Sequence, residues 1–535
     1  MLRLEPKQSS FHSVLYDKIP ENHILKKITT VVDFSFINEL LMDSYSKQFG
    51  RPAKEPELMC KLLFLQHLYN YSDEQIKAEA ELNIAYLYFL GLNPEDTLPD
   101  KSLLSKFRTH RLGECTLDEI ITEIARQCVE QGILEGKSVS IDATHIEANT
   151  IKKTPERLMK HIAKKIVGAY ESESGHPLKN IPEVPDYQDI TDHHEAKKVM
   201  KQYLETVIDE AEKNLSGQEQ ETQTMIQKAR AILSDPKFMN QKGIRSLIDE
   251  DARVGRKSKT QDFYGYKTEF VMTTDERIIT SVRTSNGAYM DGGYAKEMLE
   301  DTLKSGMTID EVYGDKAYFR KYILDDIQEL NARPYIPVSS LVYRIDESEF
   351  TYNKDSDEWQ CSQGNTTLQK KRYKSKGKDG GREGYKYYFE INQCKACPLH
   401  DECAKTNARR ILVVGLNTSE FYEISQYQKT EEFKKKYKKR ATIEGKNAEL
   451  KRFHGLSRAR GYGLLSVSVQ SKLAAIAVNL KRIAAIASSF LLLISVKTME
   501  IGVYFKWANK RERKKTSFSS VSVCPRASVL APSLI

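Results

Sequence analysis

The residues with the clearest chemical potential are three carboxylates, Asp142, Asp315 and Glu444, the last inside a basic segment. In KSVSIDA, Val139 and Ile141 alternate with polar residues and Asp142 follows. In EVYGDKAY, Asp315 follows a short apolar run, with Gly314 suited to a tight exit. Both read as carboxylates at strand ends. Taken alone, an Asp there is more often a turn or helix cap than a ligand. Together with a third carboxylate they could hold two hard divalent cations about 3.5–4 Å apart, the arrangement that drives phosphoryl transfer.

The third carboxylate lies in KKKYKKRATIEGKNAELKRFHG. Read as one helix at about 100° per residue from Tyr437, Arg440 falls near about −60°, Glu444 near about −20° and Lys451 near about −40°. One narrow face then carries an aromatic ring, two cations and a single carboxylate. Intrahelical Glu–Lys pairing is the plain alternative for Glu444. The functional reading gives Glu444 a metal, Arg440 and Lys451 phosphates, and Tyr437 a base or a phosphate. Between Glu431 and Arg460 there are eleven Lys/Arg against four Asp/Glu, a surplus of seven in a chain of net charge +8. So concentrated a patch suits a polyanion, nucleic acid above all.

The spacing Tyr437, two residues, Arg440, three, Glu444, six, Lys451 resembles the Y-(2)-R-(3)-E-(6)-K signature of bacterial insertion-sequence transposases. Residues from about 33 to 113, with FLGL and SLLSKFR, look like the family's DUF772-type N-terminal domain. IDATHIEANT and GDKAY look like the segments bearing its two catalytic Asp residues, here Asp142 and Asp315. DARVGRKSKTQDFYGYK and TSNGAYMDG resemble its central strands, and GLSRARGYGL with AVNLKR its closing helix. The likeness spans about residues 33 to 490, in the branch with a cysteine-bearing insertion. It implies an α/β fold with a ribonuclease H-like core, Mg²⁺ (or Mn²⁺) at Asp142, Asp315 and Glu444, and DNA contacts from Tyr437, Arg440 and Lys451. It further implies cleavage at transposon ends, strand transfer to target DNA, and a homodimer in a paired-end complex. Two other readings are a DNA-binding derivative without chemistry, such as a repressor or decayed copy, and a structure-specific nuclease.

CKACPLHDEC holds Cys394, Cys397 and Cys403, with Cys361 upstream in WQCSQG. A C-x₂-C pair with two more cysteines fits a structural Zn²⁺ site, with His400 as a substitute ligand. Iron–sulfur ligation and plain reduced thiols are the alternatives. Cys60, Cys115 and Cys128 fall in helical segments and read as core residues. Arg253, Arg256, Lys257 and Lys259 form a basic strip that could follow a DNA backbone or simply be solvated. His145 and Glu147 lie close enough to Asp142 to join a metal shell, though the odd offset puts Glu147 on the other strand face.

These residues need positioning elements. The sequence divides into an extension (1–32), a helical unit (33–115) for DNA binding or dimerisation, a catalytic domain (116–490) and a peripheral tail (491–535). Helical and cysteine-bearing insertions fall at 151–250 and 336–410. Leu58, Leu62, Leu65 and Leu68 recur at helical spacing, and Ser72 before Glu74 and Gln75 marks a helix start. Two helices are expected around Ser216–Gly217, a hairpin across Thr274–Arg277, and a buried strand in ILVVGL. The apolar run Leu464–Val496 is broken by Lys472, Lys481 and Arg482, so it reads as a buried helix rather than a membrane span. With no signal-peptide pattern and too few cysteines for a disulfide scaffold, a cytoplasmic bacterial protein is expected.

Overall fold

The computed structural model describes residues 10–46, 52–150, 153–240, 244–258, 260–374 and 383–488. Lys259, Trp507, Cys524 and the 491–535 tail lie outside the described residues. The fold is mixed α/β with substantial helical content.

Local chemistry sets the N-terminal helices. Ser72 caps the Asp73–Leu82 helix in a full capping box with Gln75, satisfying two backbone donors that would otherwise have no partner. Asn83 caps Ile84–Leu90, which ends at left-handed Gly91, and Asp100 caps the basic Lys101–His110 helix. Leu58, Leu62, Leu63 and Leu65 of the Pro56–Leu68 helix are buried in the main core.

The central sheet contains β1 (Ser138–Glu147), β2 (Arg253–Arg256), β3 (Asp262–Thr273), β4 (Ile279–Asn286), β5 (Glu311–Tyr313) and β6 (Arg333–Tyr335). Its path runs β2-β3-β1-β5-β6, with β4 also on β3. β1 and β4 are antiparallel to β3, whereas β1–β5 and β5–β6 are parallel. Residues 138–141 of β1 are buried, as expected of a strand with neighbours on both edges and helices over the sheet.

Between β1 and β2 the chain forms the Pro155–Ser174, His193–Asn214 and Gln220–Ser234 helices. They share their own apolar cluster, including Leu158, Ile162, Met200, Leu204 and Ile226. After β6 come a two-stranded sheet, β7 (Phe350–Asn353) with β8 (Glu358–Cys361), and a three-stranded one. The latter has β10 (Glu383–Phe389) between β9 (Thr367–Lys374) and β11 (Ile411–Gly415). Fully buried Trp359 lies in their common core. β11 departs from the expected buried strand: Leu412 and Val414 point inward while Ile411 and Val413 are exposed, because this edge strand is covered on one face only.

Residues 464–488 form one helix that ties the molecule together. Its Asn479 side chain accepts from the Ile279 N–H (2.8 Å) and donates to the Ile279 carbonyl (2.7 Å). Burying Leu473, Ile476, Leu480 and Ile483 contributes about 1.5–3 kcal/mol each. Its charges have partners: Lys472 bonds Asp118 (2.9 Å), Lys481 bonds Glu449 (2.8 Å), and Arg482 donates to the Glu276 carbonyl (2.7 Å). Among the described residues no helix is long and apolar enough to cross a membrane. The N-terminal helices are joined to this region through His454, which contacts the His67 carbonyl (2.9 Å), and Arg460, which donates to Asn70 (2.6 Å).

Candidate active site

The parallel pairing of β1 and β5 brings two of the carboxylates near each other. Ser140 is level with Tyr313 at the last paired position; Asp142 and Asp315 each follow two residues later, near enough for the Asp315 charge to act on Asp142. Asp142 lies within a ten-residue strand, correcting the expected strand end. The antiparallel pairing with β3 keeps β1 extended to Glu147 after β5 has stopped. Asp315 does follow its strand, and its carboxylate accepts from the Ala317 N–H (2.8 Å), capping the Lys316–Tyr318 turn. Gly314 is not among the positive-φ glycines. Its lack of a side chain is explained by space: a Cβ would meet Ile336 and Tyr318 at 3.3 Å and Ile141 at 3.4 Å.

The segment bearing Glu444 is not one uniform helix. Glu431–Tyr437 and Ala441–Phe453 are α-helical, but Lys438–Arg440 is a 3₁₀ turn. At about 3.0 residues per turn, a constant 100° advance does not hold across it. Arg440 nevertheless reaches both neighbours: its guanidinium lies 3.6 Å from the Asp142 carboxylate and donates to Glu444 at 2.8 Å. Asn447 Nδ2 donates to Asp142 Oδ2 at 3.0 Å. Tyr437 stacks on Phe433 (5.6 Å between centroids). Burial raises its hydroxyl pKa; Arg440 opposes that, while Asp315, Asp142 and Glu444 add to it. Tyr437 thus shares the field of all three carboxylates.

Asp142 is held in an unusual state. Burial pushes its carboxyl up to about 6; Arg440 works against this, and the Asp315 and Glu444 charges reinforce it. Among the described residues, no group of three or more His, Cys, Asp or Glu side chains is set to hold a metal ion. The donor chemistry still fits a hard cation. Carboxylates whose repulsion raises Asp142 gain from added positive charge, and Asn447 Oδ1 is buried without a hydrogen-bond partner. Arg440 now supplies the balancing charge.

Lys451 lies further along the helix, with Nζ 3.3 Å from His145 Nδ1. Burial lowers its pKa to about 8, and nearby Lys257 adds to the shift. Burial first, then the Lys451 and Lys257 charges, lower His145 to about 4, with Glu147 opposing. Glu147 is exposed; its backbone bonds Ser457 and Ala459. The basic strip is divided. Arg253 donates to the Ala252 carbonyl (3.0 Å) and Arg256 pairs with Asp262 (3.4 Å), leaving Lys257 beside Lys451.

Two residues supporting the site escaped the sequence reading. Asn447 carried a usable signal, since three residues after Glu444 is the same helix face. Glu269 on β3 is 1 % exposed and accepts from the Gly292 N–H (2.5 Å) and the Tyr318 hydroxyl (3.0 Å). Tyr318 belongs to the turn that Asp315 caps, so Glu269 fastens that turn to the sheet. Burial pushes Glu269 up to about 7, against the pull of both hydrogen bonds.

Two family models match the chain in order: Transposase domain (DUF772) over residues 13–110, and Transposase DDE domain over residues 360–484. The two matches support a DDE transposase of insertion-sequence type. The DDE domain supports an enzyme of nuclease or transposase kind, and its match contains Tyr437, Arg440, Glu444 and Lys451. Asp142 and Asp315 lie outside both matched segments. No curated protein and no solved structure matches the chain.

The DDE match also takes in the cysteines. Cys403 is near enough to Cys361 and Cys394 for their charges to act on it; burial raises its thiol pKa first, Arg410 opposing and the two cysteines adding. Cys394 is packed with Phe389 and Trp359, and His400 Nδ1 contacts the Cys394 carbonyl (2.8 Å). The four cysteines are free thiols, and no group of three or more His, Cys, Asp or Glu side chains set to hold a metal is found here either, among the described residues. Cys60 and Cys128 are buried, but Cys115 is exposed, on the outer side of the first turn of its helix.

Proposed function

We propose that the chain is the DNA transposase of an insertion sequence, with a ribonuclease H-like core that cuts at the element's ends and joins them to target DNA. The observation that supports this reading is that Asp315 lies near enough to Asp142 for its charge to act on it, while Arg440 contacts both Asp142 and Glu444. The antiparallel run β4–β3–β1, continued by β5 and β6 in parallel, supports the assignment of the core.

Asp142, Asp315 and Glu444 would hold Mg²⁺ or Mn²⁺, for which carboxylate oxygens are suitable donors. Bound there, the metal would lower the pKa of an attacking water or hydroxyl and offset charge developing on the phosphate. Asn447 fixes one Asp142 oxygen, and Asp142 must release its proton to serve as a donor, which its pKa of about 6 permits at neutral pH. Arg440, already facing two carboxylates, neutralises phosphate charge at the scissile bond. Lys451 and Lys257 grip the backbone beside it, and Tyr437 bounds the site through its hydroxyl. Two copies of the chain act on paired ends.

The test is Mg²⁺-dependent nicking of duplexes carrying the element's ends, with Asp142→Ala as control. Wild type should cut and the variant should bind without cutting. If both bind and neither cuts, the protein is a DNA-binding derivative without chemistry.

A further inference from the structure

The three-stranded sheet β9–β10–β11 has two faces with opposite charge economies. On the inner face Leu412, Val414 and Tyr387 are buried. The cations pointing that way are matched by carboxylates: Lys370 by Asp357 (2.7 Å), and Arg372 and Lys374 by Glu383 (both 2.8 Å).

The outer face is different. The registers place Lys371 directly opposite Lys386 and Lys386 opposite Val413, with Gln369, Tyr388 and Ile411 forming the next row. Like charges facing each other across a strand pair are destabilising. Here no ion pair to a carboxylate relieves them among the described residues. Instead the cations lie over rings: Lys371 over Tyr388 (5.7 Å), Arg409 over Tyr388 (4.8 Å) and Lys386 over Tyr373 (5.3 Å). Gly384 makes room for this, since a Cβ there would meet the Tyr373 ring at 3.0 Å and the Val414 carbonyl at 2.2 Å. Ile411 and Val413 complete the face at 37 % and 49 % exposure. An apolar protein partner would leave the Lys371–Lys386 repulsion in place, whereas a polyanion removes it.

We propose that this outer face is a DNA-backbone contact surface, with Lys371, Lys386 and Arg409 each meeting a phosphate and Tyr373 and Tyr388 holding the cations in place. It contacts DNA without reading sequence, since phosphate contacts carry no base information. The proposal rests on the reading of the chain as a DNA-acting protein.

The test is duplex DNA binding by the full chain, followed by fluorescence anisotropy across a salt series. The probes are a duplex carrying the element's end and one of unrelated sequence. Removing three phosphate contacts in Lys371→Ala/Lys386→Ala/Arg409→Ala should flatten the log K against log[salt] slope by about 2.7, at about 0.9 per contact. The change should be the same on both duplexes, and placing arginine instead of alanine at 371 and 386 should recover about 1.8 of it. Urea melts check folding; the triple glutamine variant, which keeps much of each aliphatic stem over its ring, replaces the alanine variant if that melts early. An unchanged slope in a folded variant overturns the surface while wild-type binding upholds the DNA reading. Absence of wild-type binding to either duplex overturns both.

Discussion

Glu269 gives a prediction that isolates one buried charge. Substitution to Gln keeps an oxygen for the Gly292 N–H and the Tyr318 hydroxyl, and removes the ionisation. Moving a carboxyl from 4.5 to about 7 corresponds to about 3 kcal/mol, at about 1.36 kcal/mol per tenfold change in proton affinity. The folded pKa is raised, so this stability is fully present below about 4.5 and is lost as pH rises through about 7. Wild type should therefore lose about 3 kcal/mol relative to Glu269→Gln between pH 4.5 and 8. The new amide N–H group stands where Oε2 has no hydrogen-bond partner, which adds a constant cost of about 1–3 kcal/mol. Only the pH-dependent difference is diagnostic. Urea unfolding monitored at pH 4.5, 6 and 8 measures it, and the shift of other groups such as Asp142 cancels between the two proteins. Parallel stability curves would mean that Glu269 titrates as an ordinary exposed acid and that its burial shifts nothing.

Other outcomes follow from the same geometry. Asn447→Ala should lower cleavage about 10–100-fold, the usual cost of losing an outer partner of a metal ligand, with DNA affinity unchanged. Metal titration and end binding measured in parallel check this. Lys451, charged below about 8, should lose its phosphate contact above that pH, reducing the salt slope by about 1 between pH 7 and 9. Lys451→Arg should abolish that pH dependence. Arg440→Ala removes the cation facing Asp142, so metal-free variant protein should bind a proton at Asp142 at higher pH than wild type, read by NMR titration of the carboxyl.

Local codes were legible in the sequence, and long-range register was not. Ser72 and Gln75 form the expected capping box, and β3 and β4 flank the expected turn. Short-range chemistry decides both. Asp142 looked terminal because the alternation of apolar residues stops there, but pairing with β3 extends β1 for five residues more. The 3₁₀ turn at Lys438–Arg440 has no distinct mark in a run of lysines. Glu269 looked like an ordinary polar strand position; only the approach of Gly292 and Tyr318 from distant segments makes it part of the site's support.

On the proposed function, Asp142, Asp315 and Glu444 act as one metal-binding unit on DNA. Mg²⁺-dependent cleavage of end duplexes by Asp142→Asn, Asp315→Asn and Glu444→Gln, each at saturating protein, tests it most directly. All three should bind the duplex as wild type does and fail to cut. Wild-type cleavage by any one of them would contradict the claim for that residue and break the unit.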